Sequence, residues 1–109
     1  MPNNLDLTFK TLADPTRRAV LARLTSGAAP VKDLAAPFAM TLPSFMQHVR
    51  LLEEAGLVTT EKQGRTRMCS LQPDALADVE NWLAGQRHAW SARFDRLEAF
   101  LDEEPSHDP

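Results

Sequence analysis

Cysteine is almost missing from this sequence: Cys69 stands alone among 109 residues. One thiol cannot close a disulfide within a chain, and without a second cysteine there is no paired-thiolate zinc site. A reducing compartment fits, and a cytoplasmic location is expected. Glycine is also scarce, at four residues, and none of them groups into a loop that could cradle a phosphate. With no nucleophile beside a base in a recognisable motif, the residues give no ground for an enzyme. Nowhere do about 18 apolar residues follow one another, as a bilayer span requires. The opening stretch, MPNNLDLTFK, lacks the basic start and apolar run of an export signal. A soluble chain with no membrane partner and no cofactor is expected.

What is present suffices for one modest core, since 43% of the residues are hydrophobic. The net charge of −3 argues at first against a nucleic-acid partner, but it is unevenly spread. Residues 1–72 hold nine Lys and Arg against six Asp and Glu, whereas residues 73–109 hold three against nine. Screening at physiological salt confines surface fields to about 8 Å, so a basic surface early in the chain is insulated from the acidic end.

Leu5, Phe9 and Leu12 are spaced as on a short amphipathic helix. Asp14-Pro15 then opens a second helix through TRRAVLARL, closed by Thr25-Ser26-Gly27. A third is expected over 31–36, entered from Pro30 and ended by Pro37. After the tight connection Phe38-Ala39-Met40, Thr41 caps a longer helix over 41–55, with Pro43 in its first turn and Gly56 as its stop. Two helices joined this closely suggest a helix-turn-helix. Segments 57–62 and 66–71, split by Gln63-Gly64-Arg65, read as a hairpin, the wing of a winged helix. Beyond Pro73, the apolar positions Leu76, Val79, Leu83, Trp90, Phe94, Leu97 and Leu101 keep to one face of a last helix that Gly85 weakens without ending. The expected fold is thus mainly α with a small β-hairpin: a winged helix-turn-helix over 1–102, with a long C-terminal dimerisation helix and a disordered acidic tail over 103–109.

On the helix after Thr41, Phe45, His48, Val49, Leu52 and Ala55 turn inward, while Pro43, Met46, Gln47, Arg50 and Glu54 turn outward. Gln47 offers an amide able to bond adenine twice, and Arg50 reaches guanine or phosphate. Thr41 and Ser44 suit phosphates near the helix start, where free amides favour an anion. An outward Gln and Arg are compatible with a merely solvated face. Lys62, Arg65 and Arg67 near the hairpin tip tilt the reading toward double-stranded DNA, although a solvated hairpin would carry them too.

The runs LADPTRRAVLARL, VKDLA, LPSFMQHVRLLEEAGLV and GRTRMCSL together resemble the ArsR, or arsenic-repressor-type, family of winged-helix regulators over about residues 5–101. The resemblance implies a homodimeric repressor that leaves DNA on a signal. It assigns DNA contact to Thr41, Leu42, Pro43, Ser44, Met46, Gln47 and Arg50 and to the wing cations Lys62, Arg65 and Arg67. It also assigns the dimer contact to the first and last helices, through Leu5, Phe9, Leu83, Trp90, Phe94, Leu97 and Leu101. Leu42 and Met46 depart from the small polar readers common in the family, so contacts to thymine methyls are expected to replace some hydrogen bonds.

The signal itself is not specified. Val31-Lys32-Asp33-Leu34 stands where metal-sensing relatives carry paired cysteines, and Asp78 and His88, on the last helix where the family has a second ligand site, are nearly three turns apart and could share an ion only across a dimer. No metal ligand set is therefore expected, and His48 is read as a packed, hydrogen-bonded residue. Cys69 is taken as a small buried hydrophobe rather than a redox sensor, since no resolving thiol accompanies it. Trp82, Trp90, Phe94 and Phe100 could line an apolar effector pocket, but such spacing more often marks core or interface. A winged helix serving only as a protein-interaction module is the alternative function; it predicts no salt-sensitive affinity for DNA.

Overall fold

Two adjacent residues between the first helices, Ala13 and Asp14, turn the chain because Asp14 is extended and caps the second helix: its Oδ2 accepts from the Arg17 N–H at 3.1 Å. In the computed structural model, which describes residues 4–103, helix α1 (Asn4–Leu12) thus ends and α2 (Pro15–Leu24) begins. Arg17 and Arg18 on α2 reach back to the last turn of α1. Their guanidinium groups donate to the carbonyls of Thr11 at 2.6 Å and Leu12 at 2.8 Å, which have no acceptor role left within the helix.

A two-residue strand β1 (Ala29–Pro30) leads into α3 (Val31–Ala35), and α4 (Leu42–Glu54) comes next. Thr41 is the N-cap of α4, accepting from the Ser44 N–H at 3.2 Å, with proline in the first turn as expected. Its C-terminus is a Schellman motif: Leu57 N–H bonds the Leu52 carbonyl and Gly56 N–H bonds the Glu53 carbonyl, both at 2.9 Å. Gly56 holds φ at +76°, which a side chain would strain, and the reversal drives Leu57 and Leu52 into the core together.

Strands β2 (Val58–Gln63) and β3 (Thr66–Leu71) pair antiparallel, with Gln63 opposite Thr66. Gly64 takes the first of the two turn positions at φ +67°, while Arg65 keeps a negative φ, the pattern of a type II′ turn. The core of this unit is built on the inner face of α4. Phe45, Val49 and Leu52 are 0% exposed and are joined by Val20, Leu24, Val31, Leu34, Leu57, Val58 and Cys69. Phe38 stacks on Phe45 with ring centroids 5.6 Å apart. Burial of a side chain such as Phe45 stabilises by about 1.5–3 kcal/mol.

Several details extend or correct the expectation. The hairpin is part of a three-stranded sheet of order β1-β3-β2, in which Ala29 and Pro30 pair with Cys69 and Met68. Pro30 lacks an N–H but sits at an edge, where no second neighbour needs one. Helix α3 stops at Ala35 rather than Ala36, and β2 starts at Val58 because Leu57 belongs to the helix stop. Met46, expected on the outward stripe, is half-buried and packs against the core edge.

The chain divides into two compact units, Met1–Asp78 and Val79–Pro109. The described part of the second is helix α5 (Ala77–Glu103) from Val79 onward, which runs unbroken through Gly85. At 1.5 Å per residue it is about 40 Å long. Trp90 and Phe94 touch along it, ring centroids 5.9 Å apart, yet are 62% and 56% exposed. Glu103, expected to open the acidic tail, is the last helical residue; 104–109 lie outside the described residues. No described helix is long and apolar enough to cross a membrane.

Candidate nucleic-acid interface

α3, the turn over 36–41 and α4 form the helix-turn-helix, and their burial pattern decides which side chains face out. With Phe45, Val49 and Leu52 committed to the core, helical geometry leaves Pro43, Gln47, Arg50 and Glu54 exposed on the opposite side. Thr41, Leu42 and Ser44 are exposed at the N-terminal end. There the Thr41 hydroxyl donates to Ser44 Oγ at 3.0 Å, so the Ser44 hydroxyl keeps its own proton for an outside acceptor.

The hairpin adds cations. Lys62 and Arg67 are directly paired across β2 and β3, and Arg65 occupies the turn between them; all three are exposed. Like charges placed opposite one another on a sheet repel, a cost the hairpin alone does not repay. Between α3, the start of α4 and the hairpin lies an open cleft of about 550 Å³, lined by Lys32, Leu42, Met46, Arg65 and Arg67 among others. Lys32 was not foreseen. It sits in a five-residue helix far along the chain from the hairpin, so only the fold brings it beside Arg65.

Arg67 also has a partner within the fold. Its Nη1 donates to Thr60 Oγ1 at 2.9 Å, and Thr60 in turn donates to Glu53 Oε2 at 2.8 Å, so the guanidinium is turned back along the sheet. Neither Thr60 nor Glu53 carries a sequence signal for this.

His48 lies on the inner flank of α4, hydrogen-bonded as expected. A guanidinium only donates, so His48 Nδ1 is the acceptor of the 3.1 Å bond from Arg17 Nη1, and the ring proton sits on Nε2. Asp14 Oδ2 is 3.8 Å from the same nitrogen, beyond hydrogen-bond reach. Cys69 is fully buried, and burial, with the nearby Glu53 carboxylate adding to it, pushes its thiol up to about 11. Among the described residues no three His, Cys, Asp or Glu side chains gather to hold a metal ion.

The expected dimer residues stand in two groups. Leu5 is half-buried and Phe9 partly exposed on α1, while Leu83, Trp90, Phe94, Leu97 and Leu101 are each at least half exposed on α5. The α5 residues keep the seven- and three-to-four-residue spacing of a single helix face.

A helix-turn-helix domain family model matches residues 12–61. The transcriptional repressor SdpR of Bacillus subtilis is 33% identical over 75 residues, 69% of this chain and 83% of that protein. The crystal structure of an ArsR family transcriptional regulator is 50% identical, covers 82% of this chain and 98% of its own, and superposes with a TM-score of 0.78. A homodimeric winged helix-turn-helix DNA-binding domain from Mycobacterium bovis shares the fold, with 20% identity, a TM-score of 0.62 and coverage of 97% of this chain and 85% of its own.

Proposed function

This chain belongs to the ArsR family of winged helix-turn-helix transcriptional regulators, and on that premise we propose that it is a repressor that binds a palindromic operator as a homodimer. The observation that carries the reading is the pairing of two surfaces that the fold itself does not need. One is the exposed row Pro43, Gln47 and Arg50 on a capped helix. The other is the hairpin tip, where the exposed cations Lys62 and Arg65 offer a polyanion two contacts per wing.

In this reading α4 enters the major groove. Gln47 and Arg50 meet base edges, Leu42 and the edge of Met46 meet thymine methyls, and Thr41, Ser44 and the free amides of the first turn bond phosphate. Arg65 and Lys62 on the wing bond the backbone outside the groove, with Lys32 across the cleft reaching the same strand. The apolar face of α5 pairs with that of a second copy, since exposed apolar stripes of this size mark interaction surfaces. A two-fold dimer presents two α4 helices, so half-sites should lie about 10 bp apart or a multiple of it.

The direct test is a mobility shift of the purified protein against fragments of its own upstream region. A saturable shift on one fragment, weakened by added salt, supports the repressor. Absence of salt-sensitive binding to any fragment would leave a protein-interaction module instead.

A further inference from the structure

Wing and recognition helix are joined by one directed chain of hydrogen bonds. The Thr60 hydroxyl in β2 donates to Glu53 Oε2 in the last turn of α4 at 2.8 Å and accepts from Arg67 Nη1 in β3 at 2.9 Å. A hydroxyl has one proton, a carboxylate only accepts and a guanidinium only donates, so all three groups are satisfied in this one sense.

Register explains the meeting. Thr60 opposes Cys69 and Lys62 opposes Arg67, so these four side chains share one face of the hairpin. It is the face turned to the core, because Cys69 on it is 0% exposed. The Glu53 carboxylate also lies close enough to Cys69 to add to the rise of its thiol pKa, which burial dominates. Glu53 therefore lies against the hairpin by two separate signs.

We propose that Arg67 is a positioning residue for DNA binding: with Thr60 and Glu53 it locks the wing to the C-terminal turn of α4, and so fixes where Arg65 stands relative to Gln47. The proposal rests on the DNA reading above and narrows it, since it removes Arg67 from the phosphate contacts. Two physical reasons support the assignment. A two-stranded hairpin tip is marginal by itself, so its angle to the helix needs a tie that side chains supply. Drawing the Arg67 guanidinium toward Thr60 and the Glu53 carboxylate also relieves its repulsion with Lys62, which is exposed.

The variants that test it are Thr60→Val, Arg67→Ala, the two together, and Thr60→Ser, which keeps the hydroxyl. In the free protein, amide hydrogen exchange at residues 61–66 should quicken in Thr60→Val and Arg67→Ala, no further in the double variant, and hardly at all in Thr60→Ser. On the cognate duplex the first three variants should lose affinity alike, roughly three- to tenfold, the net scale of one ordinary hydrogen bond. Their dependence of log affinity on log salt should keep the wild-type slope. An Arg67→Ala slope flattened by about two per dimer, with Thr60→Val binding as wild type, would make Arg67 a phosphate contact and overturn the proposal. Additive exchange effects in the double variant would overturn it equally. A wild-type protein with no salt-dependent affinity for any duplex would overturn the DNA reading and this role with it, while the exchange measurement, made without DNA, still reports whether the tie exists.

Discussion

Arg17 Nη1 stands 3.1 Å from His48 Nδ1, and the Nε of the same guanidinium donates to the Thr11 carbonyl at 2.6 Å. One side chain on α2 therefore ties the end of α1 to the flank of α4. Through it the helix expected at a dimer contact and the helix expected in the DNA groove share a partner.

Removing that tie should be costly for an arginine so near the surface. Arg17→Ala leaves the Thr11 and His48 acceptors without their donor, and a loss of about 1–3 kcal/mol is expected. Urea unfolding at neutral pH measures it. A midpoint shift at constant slope is the expected form, and an unshifted midpoint would show that the bonds contribute nothing net.

Asp14 gives a pH dependence of known sign. Burial raises its carboxyl pKa, but the backbone N–H groups of Arg17 and Thr16 and the charge of Arg17 together hold it below the ordinary value of 3.8. A lowered folded-state pKa contributes stability that is present above the unfolded value and lost as pH falls through the folded one. Asp14→Ala should thus cost about 1 kcal/mol at pH 7, the usual worth of an N-cap. The gap should narrow once pH falls below about 4. An equal gap at pH 7 and pH 2.5 would contradict this account.

Cys69 should be chemically quiet. With the thiol raised to about 11 and fully buried, a disulfide reagent at pH 8 should label native protein far more slowly than urea-unfolded protein. Labelling at equal rates would mean that the sheet opens readily around β3.

The α5 stripe predicts the oligomeric state. Phe94→Asp would place a charge in the seam between two copies, and sedimentation at micromolar protein should then show monomer where the wild type is expected to sediment as dimer. An unchanged dimer would put the interface on other residues.

Much of the fold was legible in the residues, for identifiable reasons. α4 announced itself because local chemistry marks both ends, Thr41 and Gly56, and a core of three apolar positions repeats at helical spacing between them. The hairpin turn was equally local to Gly64, although its type was not. β1 was not legible: two residues, one a proline, carry no periodicity, and they become a strand only because β3 lies alongside. Met46 sat at the border of the outward stripe, where wheel geometry cannot separate edge from face. Arg67 looked like one more wing cation until the strand register brought Thr60 and Glu53 to it. Contacts of that kind join elements through the fold and leave no pattern along the chain.

The central claim, that α4 reads bases while the wing holds backbone, is tested most directly by fluorescence anisotropy of Gln47→Ala and Arg65→Ala on cognate and scrambled duplexes across a salt series. Gln47→Ala should lose about 1–3 kcal/mol per good contact on the cognate duplex and much less on the scrambled one, with little change in salt slope. Arg65→Ala should weaken binding to both duplexes alike and flatten the slope by about two for the dimer, one per lost phosphate contact. Equal losses on both duplexes for Gln47→Ala would remove it from base reading and contradict the account.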